Sequence, residues 1–139
     1  MNKRNFITLT MGLITAKLLS PFKSLSMNKS QTPNWSSTSI DKVDEQRLLK
    51  GGPYLSFINE NSLKTGLYVL PKGSDDKQSP HELDEVYYIL EGKSKISVDG
   101  EVIDVNPGDV LFVKAQIEHR FLEIENDLKI LVFFSEFKA

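Results

Sequence analysis

The 139-residue chain contains no cysteine, which excludes a disulfide framework, a thiolate metal site and a cysteine nucleophile. It has only two histidines, so any metal must be held by few imidazole nitrogens with help from oxygen ligands. No glycine-rich nucleotide loop and no internal repeat is present. Long apolar runs are also lacking; residues 6–19 fall short of the about 20 residues that a spanning helix needs. What is there, 40% hydrophobic and 26% charged residues, is the composition of one globular domain.

Lys3 and Arg4 precede the apolar run, and Ser24 and Ser26 supply small residues where a signal peptidase would cut. Lys3-Arg4-Asn5-Phe6-Ile7 is also similar to a twin-arginine export signal with lysine for the first arginine. Residues 1–26 are therefore expected to be a signal peptide, removed on export to the periplasm or the extracellular space, with no membrane span left after processing. Lys17 inside the run argues for the alternative, an uncleaved N-terminus on a cytoplasmic protein. The segment holds four of the 17 basic residues and no acid, so its removal leaves 13 basic against 19 acidic residues, a net charge of −6. Nucleic acid and anionic membrane surfaces, which need basic clusters, are excluded as partners.

Residues 27–52 read as a polar arm followed by a short helix over 40–50. Thr38 and Asp41 have capping-box spacing, and Gly51-Gly52-Pro53 stops the helix. From Pro53 the pattern turns to short β-prone runs at 54–57, 65–70, 85–90, 93–98, 101–105, 110–113, 119–124 and 128–134. Asp99-Gly100 predicts a tight hairpin, and Asn106-Pro107-Gly108-Asp109 and Glu125-Asn126-Asp127 predict further turns. Many short strands with almost no helix imply an all-β sandwich or barrel over residues 53–139.

Both histidines stand beside strands. If the chain is extended from His81, then His81 and Glu85 share one face of a sheet, and His119 heads another strand. Two imidazoles and a carboxylate converging on a point make a facial triad suited to one divalent metal ion: iron, manganese, zinc, nickel or copper. The same residues also read as a turn cap after Pro80, a strand-end histidine, and an acid that is solvated or paired with lysine. Tyr87 shares parity with Glu85, and Phe121 with His119, so both rings are expected to face a small-molecule pocket or to fill a core.

The spacing resembles the motifs of the cupin superfamily, small single-domain cupins in particular, over about residues 65–134. His81, Glu85 and Gly92 match the second histidine, the glutamate and the glycine of the first motif. Gly108 and His119 match the first glycine and the histidine of the second. Ser79 stands where the first motif has its other histidine. Lys114, Gln116 and Glu123 replace a proline, a glycine and an asparagine of the second. Gln78, beside Ser79, has a side-chain carbonyl that could act as a fourth ligand.

The resemblance implies a jelly-roll β-barrel, a metal held by His81, Glu85 and His119, and pairing into a homodimer. It further implies a metal-dependent enzyme, an oxygenase or isomerase acting on a small organic substrate, with Glu123 or Tyr87 as candidate proton carriers. The alternatives are a non-catalytic module that binds or senses a small-molecule ligand, and a structural dimer with a vestigial pocket.

Overall fold

A computed structural model describes residues 34–135. The expected signal peptide, residues 1–26, and the start of the arm lie outside the described residues. Helix α1 (Ile40–Lys50) is followed by eight strands: β1 (Tyr54–Asn59), β2 (Leu63–Leu70), β3 (Glu85–Glu91), β4 (Ser94–Val98), β5 (Glu101–Val105), β6 (Val110–Val113), β7 (His119–Leu122) and β8 (Leu128–Ser135). The cap of α1 is Ser39 rather than Thr38: the Ser39 hydroxyl accepts from Lys42 N at 3.4 Å, so the capping-box spacing is off by one residue. The helix buries one apolar residue, Val43, which packs on Leu55 and Leu67 of the first two strands. Helices this short are marginal alone, so tertiary packing holds it in place.

The strands form two antiparallel sheets, ordered β1-β2-β8-β3-β6 and β5-β4-β7. Alternation puts Tyr87, Ile89, Ile130 and Val132 of the larger sheet and Ile96 and Phe121 of the smaller one into a common core. This is the jelly-roll expected from the sequence. The first hairpin is tighter than expected: β1 runs through Asn59, and Glu60 N donates to Leu63 O at 2.9 Å. The run from His81 is not a strand. β3 begins at Glu85, and residues 81–84 form a bend.

Gly92, the glycine of the first motif, has φ +88°, and a Cβ there would meet the Asp127 carbonyl oxygen and stand 2.8 Å from Leu128 Cα. Backbone on both sides leaves nothing soft to yield. Gly92→Ala is expected to cost about 1–3 kcal/mol from the strained conformation alone, seen as a lower midpoint in urea unfolding with the slope unchanged.

On the outer face of the larger sheet, Tyr88 pairs with Val110 and Val86 with Phe112. Tyr88, Val110 and Phe112 are 39%, 67% and 64% exposed, so an apolar strip reaches the β6 edge uncovered.

Candidate metal centre

Glu85 opens β3 and His119 opens β7, so the two side chains enter from different sheets, and the core presses on both at 2% exposure. His81 arrives from the bend. Its backbone carbonyl accepts Gln116 N at 2.8 Å, and the neighbouring Asp84 carboxylate accepts Ala115 N at 2.9 Å, which ties this bend to the 114–117 turn beside His119. Expected strand parity is thus not what aligns His81 with Glu85. A hydrogen bond from His81 Nδ1 to Leu83 O at 3.0 Å curls the bend back on itself and turns Nε2 to the carboxylate.

The triad converges. Glu85 Oε2 lies 2.7 Å from His81 Nε2 and 3.1 Å from His119 Nε2, and one ligand atom from each residue lies within 4.8 Å of the others. The partners of Glu85 are imidazoles, and it is neither solvated nor held by a lysine.

The hydrogen-bond chemistry tests whether this set suits a metal. His81 Nδ1 faces the Leu83 carbonyl, and His119 Nδ1 faces the Ile117 carbonyl at 2.7 Å. A carbonyl only accepts, so each Nδ1 carries a proton and each ring turns its Nε2 toward Glu85. Two ring nitrogens and a carboxylate then converge, and if both rings are neutral all three are acceptors. They need a cation between them, either a proton or a metal ion. Neighbouring ligand atoms about 2.1 Å from an ion stand about 3 Å apart at a right angle, so the observed spacings fit one. Backbone carbonyls orienting the far ring nitrogen are also the usual support of a metal-binding histidine. In the metal-free state, burial lowers the His119 pKa, but the Glu85 carboxylate and the Ile117 carbonyl outweigh it and hold it above the ordinary imidazole value.

Tyr87 stands behind this centre, fully buried, with its hydroxyl 3.0 Å from His119 Nε2 and donating to Gln78 Oε1 at 2.9 Å. Burial and the nearby Glu85 charge drive its pKa far up, so in the metal-free state it keeps its proton. By accepting that proton, Gln78 leaves the His119 lone pair free. The amide expected as a fourth ligand is therefore engaged with Tyr87. Glu123, the other candidate proton carrier, is exposed and pairs with Lys95 at 2.5 Å.

Sequence reasoning missed Asp76. Its carboxylate, 8% exposed, accepts Phe121 N at 2.8 Å, Gln78 N at 3.1 Å and the Tyr68 hydroxyl at 2.5 Å, pinning the 71–80 segment to both sheets. Burial and the Asp76 carboxylate raise the Tyr68 pKa, so that phenol remains the donor. Two departures from the motifs keep the backbone that the motif residues would supply. Gln116, at the glycine position, has φ +66°, and Glu123, at the asparagine position, has φ +48°.

A cavity of about 570 Å³ opens beside His81 and Glu85, walled by Tyr54, Tyr68, Leu70, Val132 and Phe134. Neither Tyr87 nor Phe121 lines it. Both belong to the core, their rings 5.4 Å apart, and Phe121 reaches only a separate, more polar hollow on the far side of residues 74–80.

A family model described as "Cupin domain" matches residues 66–134, and a relative from Streptomyces coelicolor, the uncharacterized protein SCO3923, is 40% identical over 96 residues, 69% of this chain and 91% of the relative. The chain belongs to the cupin superfamily. Among solved cupins, an RmlC-like cupin from Shewanella frigidimarina is 22% identical with a TM-score of 0.56, covering 64% of this chain and 81% of that one. The DMSP lyase DddQ from Ruegeria pomeroyi is 22% identical with a TM-score of 0.55, covering 59% of this chain and 45% of that one. These likenesses concern the fold. In this cupin, the glutamate and both histidines of the motif positions are the residues that meet at the centre.

Proposed function

We propose that this cupin binds one divalent metal ion through His81, Glu85 and His119 and uses it on a small organic molecule held in the adjoining cavity, as an oxygenase or isomerase. The observation that carries this is the pair of imidazoles whose Nδ1 atoms are bound to carbonyls, so that both Nε2 atoms face one buried carboxylate. A divalent ion there supplies Lewis acidity or, if redox-active, electrons for dioxygen. The chain's own contributions are orientation, by Leu83 and Ile117, and dryness, by the core behind Tyr87. Equilibrium dialysis of the purified full chain against manganese, iron(II), nickel, copper and zinc is expected to give one ion per chain for at least one metal. No binding by any of them refutes the reading.

A non-catalytic binding or sensing module is the second reading. It is favoured by the outward pairing of Glu123 with Lys95, which takes one candidate proton carrier away from the centre. Turnover assays on the metal-loaded protein separate the two.

The uncovered strip of Tyr88, Val110 and Phe112 favours pairing of two copies at the β6 edge. Light scattering is expected to give twice the chain mass for the wild type and a single chain mass for Phe112→Asp.

A further inference from the structure

From the walls of the cavity we infer the class of its ligand: a small molecule with a flat apolar body, aromatic in the simplest case, and a single acidic oxygen group at one end. This deepens the metal-site reading and rests on it. The two ends of the cavity differ in kind. Tyr68, Leu70, Val132 and Phe134 come from the inward faces of two adjacent strands, β2 and β8, and make a continuous apolar wall, with His81 edge-on to the Phe134 ring at a centroid distance of 4.9 Å. The metal-facing atoms sit together at His81 and Glu85, and the other polar groups of the lining, Ser74, Asp75, Lys77 and Gln78, all come from the 71–80 segment. A body that lies on the wall is rewarded by burial, and an acidic group is rewarded at the His81 and Glu85 end, where the ion would sit.

The width of the apolar part is set by Gly66. A Cβ on Gly66 would fall inside the Tyr54 ring, so the absence of a side chain there lets that ring lie against β2 instead of crossing the cavity. Tyr54 meets Tyr68 edge-on, at 6.3 Å between centroids, and the two rings bound a slot suited to a planar body.

Charge fixes the nature of the polar end. Two neutral imidazoles and one carboxylate around a divalent ion leave a net positive centre, which selects an anionic oxygen. Without the ion, Glu85 repels the same group. Ligand affinity and metal occupancy are therefore coupled, and the ligand is a carboxylate or a phenolate rather than an amine or a sugar.

The test uses the full chain loaded with cobalt(II), whose visible spectrum reports a change of ligands, titrated with acetate, benzoate and benzamide. Benzoate is expected to bind at least tenfold tighter than acetate and at least tenfold tighter than benzamide, and to lose at least tenfold in affinity for the metal-free chain, measured by calorimetry. Phenol, titrated in parallel, tells a phenolate from a carboxylate preference. Gly66→Ala, which pushes the Tyr54 ring into the slot, is expected to weaken benzoate at least fivefold while leaving acetate and cobalt affinity unchanged. If that variant does not fold, the wild-type comparison decides alone. Cobalt bound with equal affinities for acetate and benzoate overturns this inference and leaves the metal reading standing. Failure of cobalt and every other divalent ion to bind overturns the metal reading, and this inference with it.

Discussion

His119→Ala is expected to weaken divalent-ion binding by at least about 100-fold, because loss of a partner that merely supports a metal ligand already costs 10–100-fold. His119 is also the least replaceable of the three ligands. It is 2% exposed, its Nδ1 is fixed 2.7 Å from the Ile117 carbonyl, and no water takes its place without disturbing the packed core. Glu85→Gln is expected to behave similarly for another reason, since it removes the one negative charge of the set while keeping the side-chain shape. Competition with a metallochromic indicator measures both. A thermal counterpart follows from mass action: free metal at 100 times its Kd adds about 2.7 kcal/mol to the stability of the wild type. That gain disappears on chelation and falls to about 0.4 kcal/mol or less in either variant at the same metal concentration. A wild type and a His119→Ala variant with the same metal affinity would exclude the triad as the binding site.

Asp76→Ala is expected to destabilise the fold by about 3–4 kcal/mol. The carboxylate serves three donors at once, and hydrogen bonds to a charged group contribute about 1.5–3 kcal/mol each, though not additively. The amide of Phe121 is the costliest loss, because Phe121 is 2% exposed and its N–H has no other hydrogen-bond partner among the described residues. Chemical denaturation is expected to show a lower midpoint at constant slope, and Asp76→Asn, which retains one acceptor, about half the effect. Because Gln78 N is one of the three donors, the hold of Gln78 on Tyr87 loosens too. A variant as stable as the wild type would mean that residues 71–80 are held by other contacts.

The fold and the centre were legible to different degrees, and particular residues show why. All eight strands announce themselves as short β-prone runs bounded by turn residues, since branched and aromatic side chains suit a pleated surface and the turns need Gly, Pro, Asn or Asp. Spacing alone pairs His81 with Glu85 and sets His119 beyond the Pro107-Gly108-Asp109 turn. Asp76 had no such signal. Between Gly73 and Pro80 it reads as one of two adjacent loop aspartates, and nothing local tells it from Asp75, because its principal partner is 45 residues away. The parity argument for His81 reached the right pairing by the wrong route: the bend, not a strand, turns its ring.

The sequence by itself determined the strand order along the chain and the lack of any sulfur ligand, and its motif spacing nominated His81, Glu85 and His119, because residue type and spacing need no partner to be read. Only the tertiary structure decided which nitrogen of each histidine faces Glu85, that Tyr87 and Gln78 stand behind the centre, and that Tyr54, Tyr68 and Phe134 wall the cavity in place of Tyr87 and Phe121. Each of these depends on a backbone carbonyl or a neighbouring strand brought close by folding, and pairings between distant segments leave no mark on the spacing of residues along the chain.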